Sequence, residues 1–120
     1  CFRLSGALLF LHCAAAPQCQ RWIRDRECNH DPQVLASGPY PSSLKRRVGG
    51  MLGHLSNDQA AALLRQANVD RLQHLVLSHL SEQNNTSRHA LDAVERVITQ
   101  GRERIGVASQ TEGFDWLQVH

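Results

Sequence analysis

His54 and His79 are the residues whose positions, rather than types, suggest chemistry. His54 stands just before a helix-like stretch, and His79 closes the segment Leu72 to Leu80, whose centre reads Leu75-Val76-Leu77 without alternation. An unbroken apolar run of this length is the pattern of a strand buried on both faces, typically a parallel strand between helix layers. In open α/β sheets, ligands and catalytic groups gather at the carboxyl ends of such strands. Two imidazoles would then converge on one pocket, where a neutral imidazole at a strand end is a common zinc or manganese ligand. Other chemistries lack their motifs. There is no H-E-x-x-H or H-x-H pattern, no serine in a G-x-S-x-G turn and no glycine-rich phosphate loop. Ser56 and Ser81 each follow a histidine by two residues, without the surroundings of a nucleophile. His74 and His89 read as structural or exposed, and His12 and His120 receive no role. Lys45-Arg46-Arg47 is open to two readings, a solvated face or a cluster contacting phosphate oxygens.

The elements that must position these residues follow from local pattern. Asp31-Pro32 opens a turn or a short helix, since proline suits a first helical position. Gly38-Pro39-Tyr40-Pro41 is rigid loop chemistry, and Ser43 to Val48 predicts a short basic helix stopped by Gly49-Gly50. Ser56-x-x-Gln59 has capping-box spacing ahead of Ala60, Ala61, Leu63, Leu64 and Ala67, which predicts a helix with a small face ending at Asn68 and Asp70. After the strand and the polar loop Ser81 to Asn85, Thr86 is a candidate N-cap. The helix it opens carries Ala90, Leu91, Val94, Val97 and Ile98 on one stripe, with Gly101 as the stop. Arg104 to Gln110 and Phe114 to Val119 read as strands around the turn Thr111-Glu112-Gly113. The order loop–α–β–α–β–β describes an α/β fold, part of a layered sheet.

Composition bounds the reading. At 120 residues, 42% hydrophobic and 20% charged, the chain allows at most one domain with a modest core. A net charge of +2 is too small to argue for nucleic acid by itself. The run Gly6 to Leu11 falls far short of the roughly 20 apolar residues that span a bilayer, so no membrane role is expected. The four cysteines, Cys1, Cys13, Cys19 and Cys28, contain no C-x-x-C pair. The functional part therefore reads as cytoplasmic. Residues 1–26 differ in character from the rest. Arg3, a short apolar run and Ala14-Ala15-Ala16 imitate a secretory signal, but His12 interrupts the run, the chain begins with Cys1, and Met51 is the only methionine. The expectation is an atypical segment outside the fold, with the domain occupying 27–120. The alternative is a secreted domain, cleaved near Ala16 and tied by a Cys19–Cys28 bridge.

Longer motifs carry a resemblance. At Glu27-Cys28-Asn29-His30-Asp31, Gly38-Pro39-Tyr40-Pro41-x-x-Leu44-Lys45-x-Arg47, Gly53-His54-Leu55-Ser56-Asn57 and His79-Leu80-Ser81-x-x-Asn84-Asn85, the chain resembles the metallo-β-lactamase-fold hydrolases. The branch is the YycJ/WalJ type, with a more distant similarity to ribonuclease Z, and the likeness spans about 27–119. It implies an αββα sandwich holding two divalent metal ions, zinc or manganese, that activate water against a phosphodiester of nucleic acid. By that resemblance His79 is a metal ligand. His54 lies near the scissile phosphate as a catalytic residue, and His30 with Asp31 flanks the pocket, His30 as a second catalytic candidate. Lys45, Arg47 and Ser56 bind substrate, and Asn84 and Asn85 hold the loop after His79. The sequence also departs from the family, whose H-x-H-x-D-H metal cradle is absent. Before Glu27, where a strongly apolar strand is expected, it reads Arg21-Trp22-Ile23-Arg24-Asp25-Arg26. These departures lead to the expectation of a carboxyl-terminal fragment of a metal-dependent phosphodiesterase or exonuclease, inactive as this chain alone. The alternative is a non-catalytic interaction module pairing with a separate amino-terminal half.

Overall fold

Leu75, Val76 and Leu77 sit at the centre of the fold, only 2%, 1% and 0% exposed. The structure, a computed structural model, describes residues 2–4, 23–67, 69 and 72–117. In chain order the elements are β1 (Phe2–Leu4), β2 (Ile23–Glu27), α1 (Pro32–Ser37), α2 (Ser42–Val48), α3 (Asn57–Gln66), β3 (His74–Ser78), α4 (Ser87–Glu95), β4 (Ile105–Val107) and β5 (Phe114–Leu117), with a 3-10 turn at Arg102–Arg104 before β4. The strands β2, β3 and β4 form a parallel sheet in that order, with β3 in the middle. β1 pairs antiparallel with β5. The expected α/β class is thus what the chain adopts.

Topology decides where the helices lie. Both crossovers, β2 to β3 and β3 to β4, step in the same direction across the sheet. Right-handed parallel crossovers then put the intervening helices on one face. Accordingly Ala60 and Leu64 of α3, Ala90 and Val94 of α4, and Leu75 and Leu77 of β3 share one core cluster with Cys28, Leu80 and Ile98. The alanines let the helices approach closely. Val76, one position out of phase, is directed to the opposite face and is buried as well.

Helix starts follow the local signals closely. Asp31 caps α1, its Oδ1 accepting from Gln33 N and Val34 N at 3.0 Å each, with Pro32 in the first turn. Ser56 completes the capping box of α3: its Oγ accepts from Gln59 N at 3.2 Å, and Gln59 Oε1 accepts from Ser56 N at 2.9 Å. Thr86 caps α4 through His89 N at 3.1 Å. Ends differ more. α4 stops at Glu95, ahead of the expected Gly101, because the β-branched run Val97-Ile98-Thr99 disfavours helix, although buried Ile98 stays in the core. β3 is shorter than Leu72 to Leu80 because His79 turns to φ 56°, which ends extended structure. β2 begins at Ile23 and so runs across the boundary expected between 26 and 27. Of the other expectations on the amino-terminal segment, Ala16 and Cys19 lie outside the described residues, while Cys28 is buried in the core. No helix among the described residues is long and apolar enough to cross a membrane.

A buried amide pair locks the helix starts to the sheet. Asn57 Nδ2 donates to Asn85 Oδ1 at 2.9 Å, and Asn85 Nδ2 donates to Asn57 Oδ1 at 2.8 Å and to Cys28 O at 2.7 Å. Asn85 Oδ1 also accepts from Thr86 N at 2.9 Å. Asn85→Ala leaves these buried partners unmet. It is expected to destabilise the fold by about 2–4 kcal/mol, since each stranded buried group costs about 1–3 kcal/mol before relaxation. Urea unfolding of the two proteins measures this, and an unchanged midpoint would show that the pair is not structural.

Candidate functional site at the carboxyl edge of the sheet

Parallel pairing brings the ends of β2 and β3 side by side. Glu27, the last residue of β2, pairs with Ser78, the last of β3, and His79 follows directly. The segment leading into α3 joins them from the third side, with an isolated parallel bridge between His30 and Ser56 and Asn57 N donating to His30 O at 2.9 Å. Asn29 N donates to Leu55 O at 2.9 Å, and Ser81 N donates to Asn29 O at 2.8 Å. Three segments distant in sequence are therefore sewn together by main-chain hydrogen bonds.

Within this frame His54 Nδ1 lies 2.8 Å from Glu27 Oε1, and Leu55 N donates to Glu27 Oε2 at 3.4 Å. A carboxylate can only accept, so Nδ1 carries the proton, and in the neutral ring Nε2 then holds the lone pair. The His54 side chain is 58% exposed, so the ring can meet a substrate from solvent. This is the arrangement of an oriented general acid–base. The pair is formed by strand pairing and loop packing, so no local spacing in the sequence marks Glu27 as the partner. The one available signal was its place in the polar stretch Glu27 to Asp31.

His30 is of a different kind. It is 3% exposed, and its Nδ1 has no hydrogen-bond partner among the described residues. Burial, above all, lowers its pKa below the ordinary imidazole value. His54 acts in the same sense, while Glu27 and Asp31 oppose it. His30 therefore lies close enough to the dyad to feel its charges, but it is enclosed rather than presented.

His79 is exposed directly after the end of β3. Its main chain sits in the left-handed region at φ 56°, and Asn29 Nδ2 donates to its carbonyl oxygen at 3.1 Å. Such a conformation is uncommon outside glycine and persists where neighbours hold it. His54 stands ahead of α3 and His79 directly after β3, and no contact joins the two imidazoles among the described residues. The phosphate-binding candidates are placed less uniformly. Lys45 Nζ donates to Ala36 O at 2.6 Å, so its ammonium caps the end of α1. Ser56 is buried and its hydroxyl serves the capping box, while Arg47 is exposed on α2. Asn85 ties the end of the loop after His79 to Cys28 O and Asn57 through its amide, and within the loop Asn84 N donates to Ser81 Oγ at 3.2 Å.

Among the described residues, no three His, Cys, Asp or Glu side chains gather as metal ligands. His79 is a single donor, and His54 Nδ1 is committed to Glu27. These residues alone do not fit the dinuclear centre that the resemblance implies.

The fold and site define an α/β chain with a carboxylate–histidine dyad at the open edge of a parallel sheet. By sequence it is a homologue of the YycJ/WalJ-type exodeoxyribonucleases. It is 35% identical over 89 residues to the protein named exodeoxyribonuclease YycJ of Bacillus anthracis, a match covering 74% of this chain and 34% of that protein. It is 36% identical over 81 residues to exodeoxyribonuclease WalJ of Streptococcus pneumoniae strains D39 and R6, covering 68% of this chain and 30% of those proteins. The chain thus spans about a third of the length of these relatives. No family model matches the chain, and no solved structure gives a significant match.

Buried and neutral, His30 makes stability depend on acid. The unfolded chain takes up its proton as pH falls through about 6.5, while the folded chain, with the lowered pKa, does not. Stability contributed by neutral His30 is thus full above pH 6.5 and declines below it until the folded pKa is reached. His30→Gln is expected to flatten that acid limb, read as the difference in urea midpoints between pH 7.5 and 5.5. Parallel pH curves for the two proteins would contradict it.

Proposed function

We propose that this chain supplies the histidine-bearing carboxyl edge of a hydrolase that cleaves phosphodiester bonds of DNA, with His54 and Glu27 working as its proton-transfer dyad. The observation that carries the reading is the 2.8 Å His54–Glu27 pair at the end of a parallel strand. It is supported by homology to proteins named exodeoxyribonucleases. Glu27 holds the imidazole by Nδ1, leaving Nε2 to take a proton from attacking water or to return one to the departing oxygen. On this reading the parallel sheet with its one-sided helices is part of a metallo-β-lactamase sandwich. His79 then offers one donor to a divalent metal whose other ligands lie outside the described residues, and Arg47 faces the phosphate backbone.

A chimera tests it, with residues 23–117 replacing the homologous segment of the Bacillus anthracis YycJ protein. The chimera is expected to degrade DNA. His54→Ala within it should lower turnover by about 10²–10⁴-fold, the range general acid–base groups supply, with metal content unchanged. His79→Ala should reduce metal content instead. Equal turnover with and without His54, in folded protein, would remove the dyad from the mechanism.

A further inference from the structure

Met51 and Leu52 are fully exposed, the two most solvent-accessible large apolar side chains among the described residues. They occupy the tip of a turn that is held firmly. Gly53 N donates to Gly50 O at 3.0 Å, and His54 N donates to Val48 O at 3.0 Å. A side chain at Gly53 would collide with the carbonyl oxygens of Val48 and Arg47, and one at Gly50 would sit 2.8 Å from Arg46 O. The glycines therefore let the tip fold back tightly on the end of α2, which drives the two apolar residues outward.

The surroundings of the tip narrow what it touches. On one side the last turn of α2 carries Arg46 and Arg47, both exposed, while Lys45 is turned to the end of α1. On the other side the next residue after Gly53 is His54, paired with Glu27. Cations, then an apolar tip, then a proton-transfer group follow one another within ten residues. A ligand complementary to all three has anions spaced along a backbone, flat apolar faces, and a bond to be cleaved beside them. A DNA strand has that composition. Apolar side chains, Met and Leu included, are used as wedges against base steps.

We propose that the Gly50–Gly53 turn is a strand-end wedge, in which Met51 and Leu52 pack on the terminal base of a DNA end while Arg46 and Arg47 hold the adjoining phosphates. The wedge sets the register of the strand so that a terminal phosphodiester lies before His54. Met51 and Leu52 are positioning residues, and the proposal rests on the reading of the chain as part of a DNA-cleaving hydrolase.

The test uses the full chain with two fluorescent probes of equal length, a blunt duplex with open ends and a dumbbell closed at both ends. Affinity is measured across a salt series. The chain is expected to prefer the open-ended probe, and Met51→Ser with Leu52→Ser should lower affinity for it about tenfold and erase the preference. That double variant should leave the slope of log affinity against log salt unchanged. Arg46→Gln with Arg47→Gln should instead reduce the slope by about 2, since each phosphate contact contributes about 0.9, and keep the preference for ends. Met51→Leu with Leu52→Met should retain full end binding, which separates apolar packing from any effect on folding. DNA binding without an end preference, or a preference that survives the serine substitutions, overturns the wedge and leaves the hydrolase reading standing. No binding to either probe also overturns the wedge, while the hydrolase reading stands or falls with the chimera. Serine substitutions that abolish self-association in sedimentation while sparing DNA affinity would make the tip a contact between copies of the chain and overturn the wedge.

Discussion

The reciprocal amide pair between Asn57 and Asn85 is the constraint on which the rest of the site depends. Each side chain satisfies the other, and Asn85 in addition meets the carbonyl of Cys28 and the amide of Thr86. These bonds connect the end of β2, the first residue of α3 and the residue ahead of the Thr86 cap. Both amides are almost fully enclosed, Asn57 at 0% and Asn85 at 6% exposure, so water cannot replace a lost partner. A half-satisfied network would be worse than an apolar one, which is why the pair works as a unit. Glu27 and His54 flank this knot in sequence, one residue before Cys28 and three before Asn57. Their 2.8 Å contact is a by-product of where the amides pin the backbone.

Much of this arrangement is legible in the sequence, for a physical reason. Elements governed by local rules were readable from short spacings: the Ser56/Gln59 capping box, the Asp31-Pro32 start and the Thr86 cap each act over three or four residues. The central strand was readable because burial on both faces writes itself as an unbroken apolar run. β2 was hidden because its residues, Ile23-Arg24-Asp25-Arg26-Glu27, do not have that pattern; among the described residues it pairs on one side, at the edge of the sheet. Edge position relaxes the demand for apolar side chains.

The site itself was half legible. The histidines at a helix start and a strand end announce a shared edge, because parallel α/β geometry sends both there. What they do at that edge depends on partners chosen by the tertiary fold. Glu27 is the group found on His54 Nδ1. Lys45 and Ser56, attractive as phosphate ligands by type, turn out to serve helix ends, which use cations and hydroxyls for the same reasons that phosphates attract them.

The bonds that assemble the carboxyl edge join residues far apart along the chain: Asn29 with His79 across 50 positions, Asn85 with Cys28 across 57, His54 with Glu27 across 27. None of them is rewarded until long loops have closed. Capped helices can flicker into existence early and locally, but the edge exists only once both crossovers are complete and β3 is flanked on either side. High sequence separation of this kind slows folding and couples distant segments into one cooperative unit. The dyad thus has no partially assembled form.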